Sequence, residues 1–160
     1  LKIIVDIPHQ RLYLQDDAGE TLREYAVSTA FKGAGEQKGS YQTPRGLHVV
    51  RAKIGAGAVP NTVFKGRRPT GEICHPELMT AFPDRDWILT RILWLSGKEI
   101  GRNRLGNVDT MQRYVYIHGS PDSAEMGKPG SHGCIRMRNE DVIDLFDRVP
   151  VGTPVMITDD

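Results

Sequence analysis

The stretch Tyr114–Arg138, YVYIHGSPDSAEMGKPGSHGCIRMR, decides how this chain is read. Tyr114 to Ile117 are aromatic and β-branched, a composition that suits a strand, and His118 and Gly119 follow at its end. A loop over residues 120 to 130 then leads to Ser131, His132, Gly133, Cys134, Ile135 and Arg136. One local excursion therefore gathers a thiol, two imidazoles and a guanidinium, with glycines where backbone must come close. A cysteine is a useful nucleophile near neutral pH when its thiolate is stabilised, and a neighbouring imidazolium does this while also carrying the proton. His118 would be held by a rigid strand, whereas His132, two residues before Cys134, would share a face with the thiol in extended backbone. Gly133 leaves room for backbone amides to approach a substrate oxygen. The residues alone do not rank the two imidazoles, but together they mark an active site.

The string HG, loop, SHGCIRM resembles the signature of the L,D-transpeptidase catalytic domain, the YkuD-type family of peptidoglycan-modifying cysteine enzymes. That resemblance implies a role for each matching residue. Cys134 would be the nucleophile, His118 its base, and Gly119 the residue whose main-chain carbonyl orients the imidazole. His132 and Gly133, with Ser131 before them, would shape the cysteine loop and oxyanion site, and Arg136 would contact a carboxylate of the peptide. The resemblance extends to the ends of the chain. LKIIVDIPHQRLYL is similar to the family's opening hairpin, TPRGLHVV to a strand start, and VGTPVMI to its closing strand.

Outward from the motif, Lys2 to Ile7 and Arg11 to Leu14 alternate apolar and polar residues, as half-buried strands do, across a Pro8-His9-Gln10 turn. Thr21 to Ala30 reads as a third strand, Leu47 to Ala52 as another, and Val155 to Thr158 as the last. Three hairpin-linked strands in succession argue for antiparallel pairing. Asn139-Glu140-Asp141 before Val142, Ile143, Phe146 and Val149 predicts a short helix with Asn139 as N-cap and one apolar face. The fold class expected is mainly β, an antiparallel β-sandwich or partly closed barrel with one or two short helices. It forms a single catalytic domain over 1–160 with an irregular insertion at about 54–112.

Within that insertion, Ile54 to Asp86 is rich in proline and glycine and too long for an idle connection, so it is either functional or carries short structure of its own. A wall or lid of the cleft built with Phe64, Arg67, Arg68 and Glu72, and a folded insertion away from the site, are both open readings. Trp87 to Leu95, WILTRILWL, is the strongest core signal after the motif, with Arg91 as its odd member. A buried guanidinium needs a carboxylate partner or a ligand anion, so Arg91 is a candidate substrate-binding residue beside a purely structural alternative. Asn103, Arg104 and Asp109 are chemically eligible to line the cleft. Cys74 with His75 lacks the spacing of a four-ligand zinc site, and pairing Cys74 with Cys134 would bury the proposed nucleophile. His48 reads as a packed strand residue.

Composition excludes several classes. The 160 residues carry a formal charge of +1, so nothing marks a basic nucleic-acid surface. No apolar run approaches the ~20 residues that span a bilayer. A thiolate and an imidazole need no cofactor, and no metal is expected. The resemblance implies acyl transfer through a thioester on peptidoglycan stem peptides, at a diamino acid to D-alanine bond. An amine would complete a cross-link, while water would give an L,D-carboxypeptidase or, on cross-linked material, an L,D-endopeptidase. It also implies a periplasmic or exported site of action, with a leader removed. Papain-like and NlpC-type peptidases place cysteine before histidine, the reverse of the order found. A non-catalytic wall-binding module would have no need to keep His118, Gly119, His132, Gly133 and Cys134 together.

Overall fold

The structure, a computed structural model, describes residues 1–160. Alternation does most of the local work. Strands β1 (Lys2–Asp6) and β2 (Arg11–Gln15) bury every second residue, and they pair antiparallel, Ile3 against Leu14 and Val5 against Leu12. Strand β3 (Thr21–Ser28) continues the meander antiparallel to β2. The remaining strands are β4 (Gly46–Ile54), β5 (Thr62–Lys65), β6 (Arg68–Ile73), β7 (Ile88–Gly97), β8 (Tyr116–Gly119), β9 (Ile135–Met137) and β10 (Pro154–Thr158).

The ring runs β4-β10-β1-β2-β3-β9-β8-β7, and β7 pairs back onto β4, which closes it. Closure leaves none of these eight strands as a free edge. Most pairings are antiparallel, as expected, but two are parallel: β1 with β10 and β8 with β9. The second matters most, because a parallel pair needs a crossover connection, and the chain from Ser120 to Cys134 is that crossover.

Helix α2 (Asn139–Arg148) lays Val142, Leu145 and Phe146 against the inner side of the curved sheet, where they join Leu12, Val27, Leu93, Ile117, Ile135 and other buried residues in one core. Each fully buried aliphatic side chain contributes about 1.5–3 kcal/mol relative to exposure. The expected N-cap is displaced by one residue. Arg138 occupies that position without a side-chain cap, and Asn139 is the first helical residue. Its side chain is instead buried, with Oδ1 accepting from Thr90 Oγ1 at 2.6 Å and Nδ2 donating to Asn61 Oδ1 at 2.9 Å. Cross-linking distant loops competes with capping for Asn139, and a local pattern cannot register it.

Residues 54–86 are more ordered than their composition suggests. They form the β5–β6 hairpin and helix α1 (Pro76–Ala81), and β5 docks antiparallel onto the first part of β7. The hairpin turns on Gly66 and Arg67, both at positive φ (56° and 63°), the two-residue geometry that matches strand twist. Arginine is an uncommon choice there. Its guanidinium is held between the rings of Trp94 and Tyr114, 4.8 Å from each centroid, and Nη1 donates to Tyr116 Oη at 3.1 Å. His75 caps α1, and Cys74 is buried beside Val63, Trp87 and Leu89. Cys74 and Cys134 are both free thiols.

Candidate active site

The register of the β8–β9 pair builds the site. Ile117 lies opposite Ile135 and both point into the core. Alternation therefore sends Tyr116, His118, Cys134 and Arg136 to the other face of the sheet. His118 is directly opposite Arg136, and Tyr116 is packed with Cys134 in a second apolar cluster with Phe64 and Ile92. Residues 18 positions apart in the chain are thus neighbours on one surface.

His118 is almost fully buried, and its Nδ1 lies 2.6 Å from the carbonyl oxygen of Gly119. A carbonyl can only accept, so Nδ1 carries the proton and Nε2 is left as the basic nitrogen. Gly119 is a glycine because of crowding: a Cβ there would collide with Asn139 Oδ1, Leu89 O and Thr90. Thr90 itself sits at φ 75° in a bulge of β7, between residues 89 and 92, which presses it toward Gly119. The network of Asn139, Thr90 and Asn61 therefore packs against Gly119, whose carbonyl holds the imidazole.

Cys134 is half-buried and lines a cavity of about 770 Å³. Its sulfur accepts from the Tyr116 N–H at 3.3 Å, and its S–H donates to Tyr114 O at 3.5 Å. Neither hydrogen bond reaches His118. Burial pushes the thiol up to about 12, opposed by the Tyr116 N–H, while the charge of Asp86 adds to the rise and Arg113 opposes it. Burial also holds His118 below the ordinary imidazole range, against Asp86 and the Gly119 carbonyl. Burial therefore works against both charged forms, the Cys134 thiolate and the His118 imidazolium.

The loop before Cys134 is a stapled turn. Ser131 Oγ donates to Cys134 O at 2.5 Å and accepts from Gly133 N at 3.2 Å, and Thr43 Oγ1 donates to Gly133 O at 2.9 Å. Gly133 has φ 129°, a conformation that L side chains rarely adopt. Exposed His132 stands between the large cavity and a smaller one of about 200 Å³ that Arg136 lines. Arg136 Nη2 donates to Ser28 Oγ at 2.9 Å, and its buried Nε has no partner.

The L,D-transpeptidase catalytic domain matches residues 2–157. This chain belongs to that family. Its L,D-transpeptidase fold is similar to solved structures of an L,D-transpeptidase from Mycobacterium smegmatis (24% identity, TM-score 0.56, 98% of this chain and 57% of that one) and of L,D-transpeptidase 3 from Mycobacterium tuberculosis (17%, TM-score 0.59, 98% and 59%). In sequence it is 51% identical over 159 residues to "Probable L,D-transpeptidase ErfK/SrfK" of Salmonella typhimurium, covering 98% of this chain and 44% of that protein. The chain thus spans less than half the length of that relative. "Probable L,D-transpeptidase YbiS" of Escherichia coli K12 is 48% identical over 48 residues, 30% of this chain and 16% of that protein.

In this L,D-transpeptidase domain the other sequence candidates divide. Arg91 lines neither cavity at the site. Its Nη1 donates at 2.7 Å to Ala58 O and to Thr90 O, the guanidinium lies over the Phe146 ring, and Nε is unpartnered. The guanidinium is caught by backbone carbonyls rather than by the expected carboxylate or anion. Of the candidate wall, Phe64 and Arg67 line the large cavity, while Glu72 faces away and pairs with Arg85. Asn103 and Asp109 are buried structural residues, bonded to Arg45 O and Leu47 O, and to Leu105 N and Gln112 N. Arg113, which composition did not single out, lines the cavity, with Nη1 donating to Gly35 O and Glu36 O and Nη2 to Gln42 O and Ser40 Oγ. A basic residue just before the Tyr114–Ile117 run was the available signal. Asp86, also on the cavity wall, sits just before the buried Trp87 strand signal.

Proposed function

We propose that this domain transfers acyl groups on peptidoglycan stem peptides through a thioester on Cys134, acting outside the inner membrane. The observation that carries the reading is that β8 holds His118 beside β9 while Cys134, the residue just before β9, opens into the cavity. Family membership supports the substrate class.

Burial that works against a standing thiolate and imidazolium shapes the chemistry. As a peptide carbonyl arrives, the S–H turns from Tyr114 O and passes its proton to His118 Nε2 while sulfur attacks, which makes the nucleophile only when it is used. The C–N bond to the leaving D-alanine then breaks, and His118 returns the proton to the departing amine. Amides at the Gly133–Cys134 turn stabilise the oxyanion. Gly133 N must loosen from Ser131 Oγ to contribute, so Cys134 N is the readier donor. Arg136, with its unpartnered Nε at the smaller cavity, receives a substrate carboxylate. An acceptor amine then gives a cross-link, and water gives trimming.

Incubating the protein with a defined tetrapeptide and recording intact mass tests this. Acylation should appear on wild type and on Cys74→Ser and vanish in Cys134→Ala. D-Alanine release by Cys134→Ala would reject the assignment. The M. tuberculosis relative is described with a faropenem-derived adduct, and the same reagent should add its mass to Cys134.

A further inference from the structure

The cavity that Cys134 lines and the smaller one across His132 are both walled by cations. Lys38, Arg67 and Arg113 line the larger, and Arg85 and Arg136 the smaller. Asp86 is the only carboxylate on either wall, and it lies on both. An anionic substrate group has several places to settle in such a site, whereas an ammonium has one.

The backbone that carries Asp86 is anchored by its neighbours. Arg85 is clamped by Glu72, with Nη2 donating at 2.8 Å and Nη1 at 3.1 Å, and its guanidinium lies over the rings of Phe82 and Trp87, 5.1 and 4.4 Å from their centroids. Trp87 is anchored in the cluster of Val63, Cys74 and Leu89. Asp86 is therefore held between two anchored residues, yet it forms no ion pair of its own while its flanking arginine is spoken for. Its charge reaches the reacting groups, being among the influences on His118, Cys134 and Arg136. An exposed carboxylate on an anchored stretch of backbone, unpartnered and on the cavity wall, is suited to bind rather than to stabilise.

We infer that Asp86 is the specificity residue for the acceptor, holding the ammonium of the incoming amine where it can reach the thioester. The inference rests on the acyl-transfer reading above. A primary alkylamine is almost wholly protonated at pH 7, with an ordinary pKa of about 10.4, so a docking carboxylate engages the form that arrives. The ammonium then loses one proton to solvent. The neutral amine nitrogen attacks the thioester carbon, the C–N bond forms, and the C–S bond breaks. The second nitrogen-bound proton passes through His118 to the departing sulfur, which restores the thiol.

The test forms the acyl-enzyme from a tetrapeptide donor and offers two nucleophiles in separate runs. One is a tripeptide ending in a diamino acid with a free side-chain amine. The other is hydroxylamine, which is uncharged at pH 7. In Asp86→Asn, capture by the diamino tripeptide relative to capture by hydroxylamine should fall about 5-fold, the size of a solvent-accessible ion pair. The deficit should shrink as salt is raised, and Asp86→Glu should recover most of it. An unchanged ratio, or equal losses for both nucleophiles, overturns the inference and leaves acyl transfer standing. Wild-type acyl-enzyme that only water discharges also overturns it and favours a carboxypeptidase. No acyl-enzyme in wild type rejects the acyl-transfer reading itself, before any variant is made.

Discussion

The backbone N–H of Tyr116 donates to Cys134 Sγ at 3.3 Å. One amide offsets only part of the desolvation that pushes the thiol up to about 12, which favours the protonated sulfur. Iodoacetamide should therefore label Cys134 slowly at pH 7, with a rate that keeps climbing beyond pH 9, where an ordinary thiol of pKa about 8.5 is already levelling off. Peptide acylation should not share that profile if His118 removes the proton during attack, as proposed. Quantifying the labelled Cys134 peptide against pH decides the matter, and a rate already flat at pH 7 would mean a standing ion pair.

Gly119 holds the His118 imidazole through its carbonyl and has no room for a side chain. In Gly119→Ala the added methyl meets Leu89 O and Thr90, and relieving that clash shifts the carbonyl that holds His118 Nδ1. Overpacking of this kind costs about 1–3 kcal/mol. Acylation should fall at least about tenfold, as a misdirected base gives up much of a general-base contribution of 10²–10⁴. Urea melts and single-turnover acylation on the same preparation separate the two effects, and full activity in a stably folded variant would argue against the orienting role.

Much of this was legible in the chain because the informative patterns are local. β1 and β2 follow from alternation, and the thiol and both histidines from one short motif. What was not legible depends on pairing between distant segments. Closure of the ring needs β4 to meet β7, and nothing near Val50 announces Leu95 as its partner. Asn139 reads as a cap until Thr90 and Asn61 arrive beside it, and Arg91 reads as a substrate residue until the carbonyls of Ala58 and Thr90 are seen to hold it. Asp86 and Arg113 enter the site only because β7 and β8 carry them there.

The two arginines proposed from the sequence should behave oppositely. Arg91→Met keeps the length of the chain over Phe146 but leaves Ala58 O and Thr90 O without their donor. It should lose about 1–3 kcal/mol of stability with KM for the tetrapeptide within about twofold of wild type. Arg136→Met removes the guanidinium from the smaller cavity and should raise that KM by about tenfold or more, since a charged hydrogen bond contributes about 1.5–3 kcal/mol. Steady-state kinetics and denaturation of the two variants side by side test both assignments, and a large KM change in Arg91→Met would return it to the binding site.

His48 sets an acid limit on the fold that is separate from the chemistry. It is fully buried, with Nδ1 2.9 Å from Gly46 O and Nε2 2.9 Å from Thr110 Oγ1. Burial lowers it to about 4, although the Gly46 carbonyl and Glu99 favour the charged form. An unfolded chain would protonate this ring near 6.5, so below that pH the unfolded state binds the extra proton and stability rises with pH. The contribution is complete above about pH 6.5 and is lost progressively as pH falls toward 4, amounting to about 3 kcal/mol over that window. In His48→Gln that slope should flatten, while any acid loss of acylation caused by protonating His118 should remain. Urea midpoints measured from pH 7 down to pH 4 on the two proteins give the comparison, and parallel curves would place the acid sensitivity elsewhere.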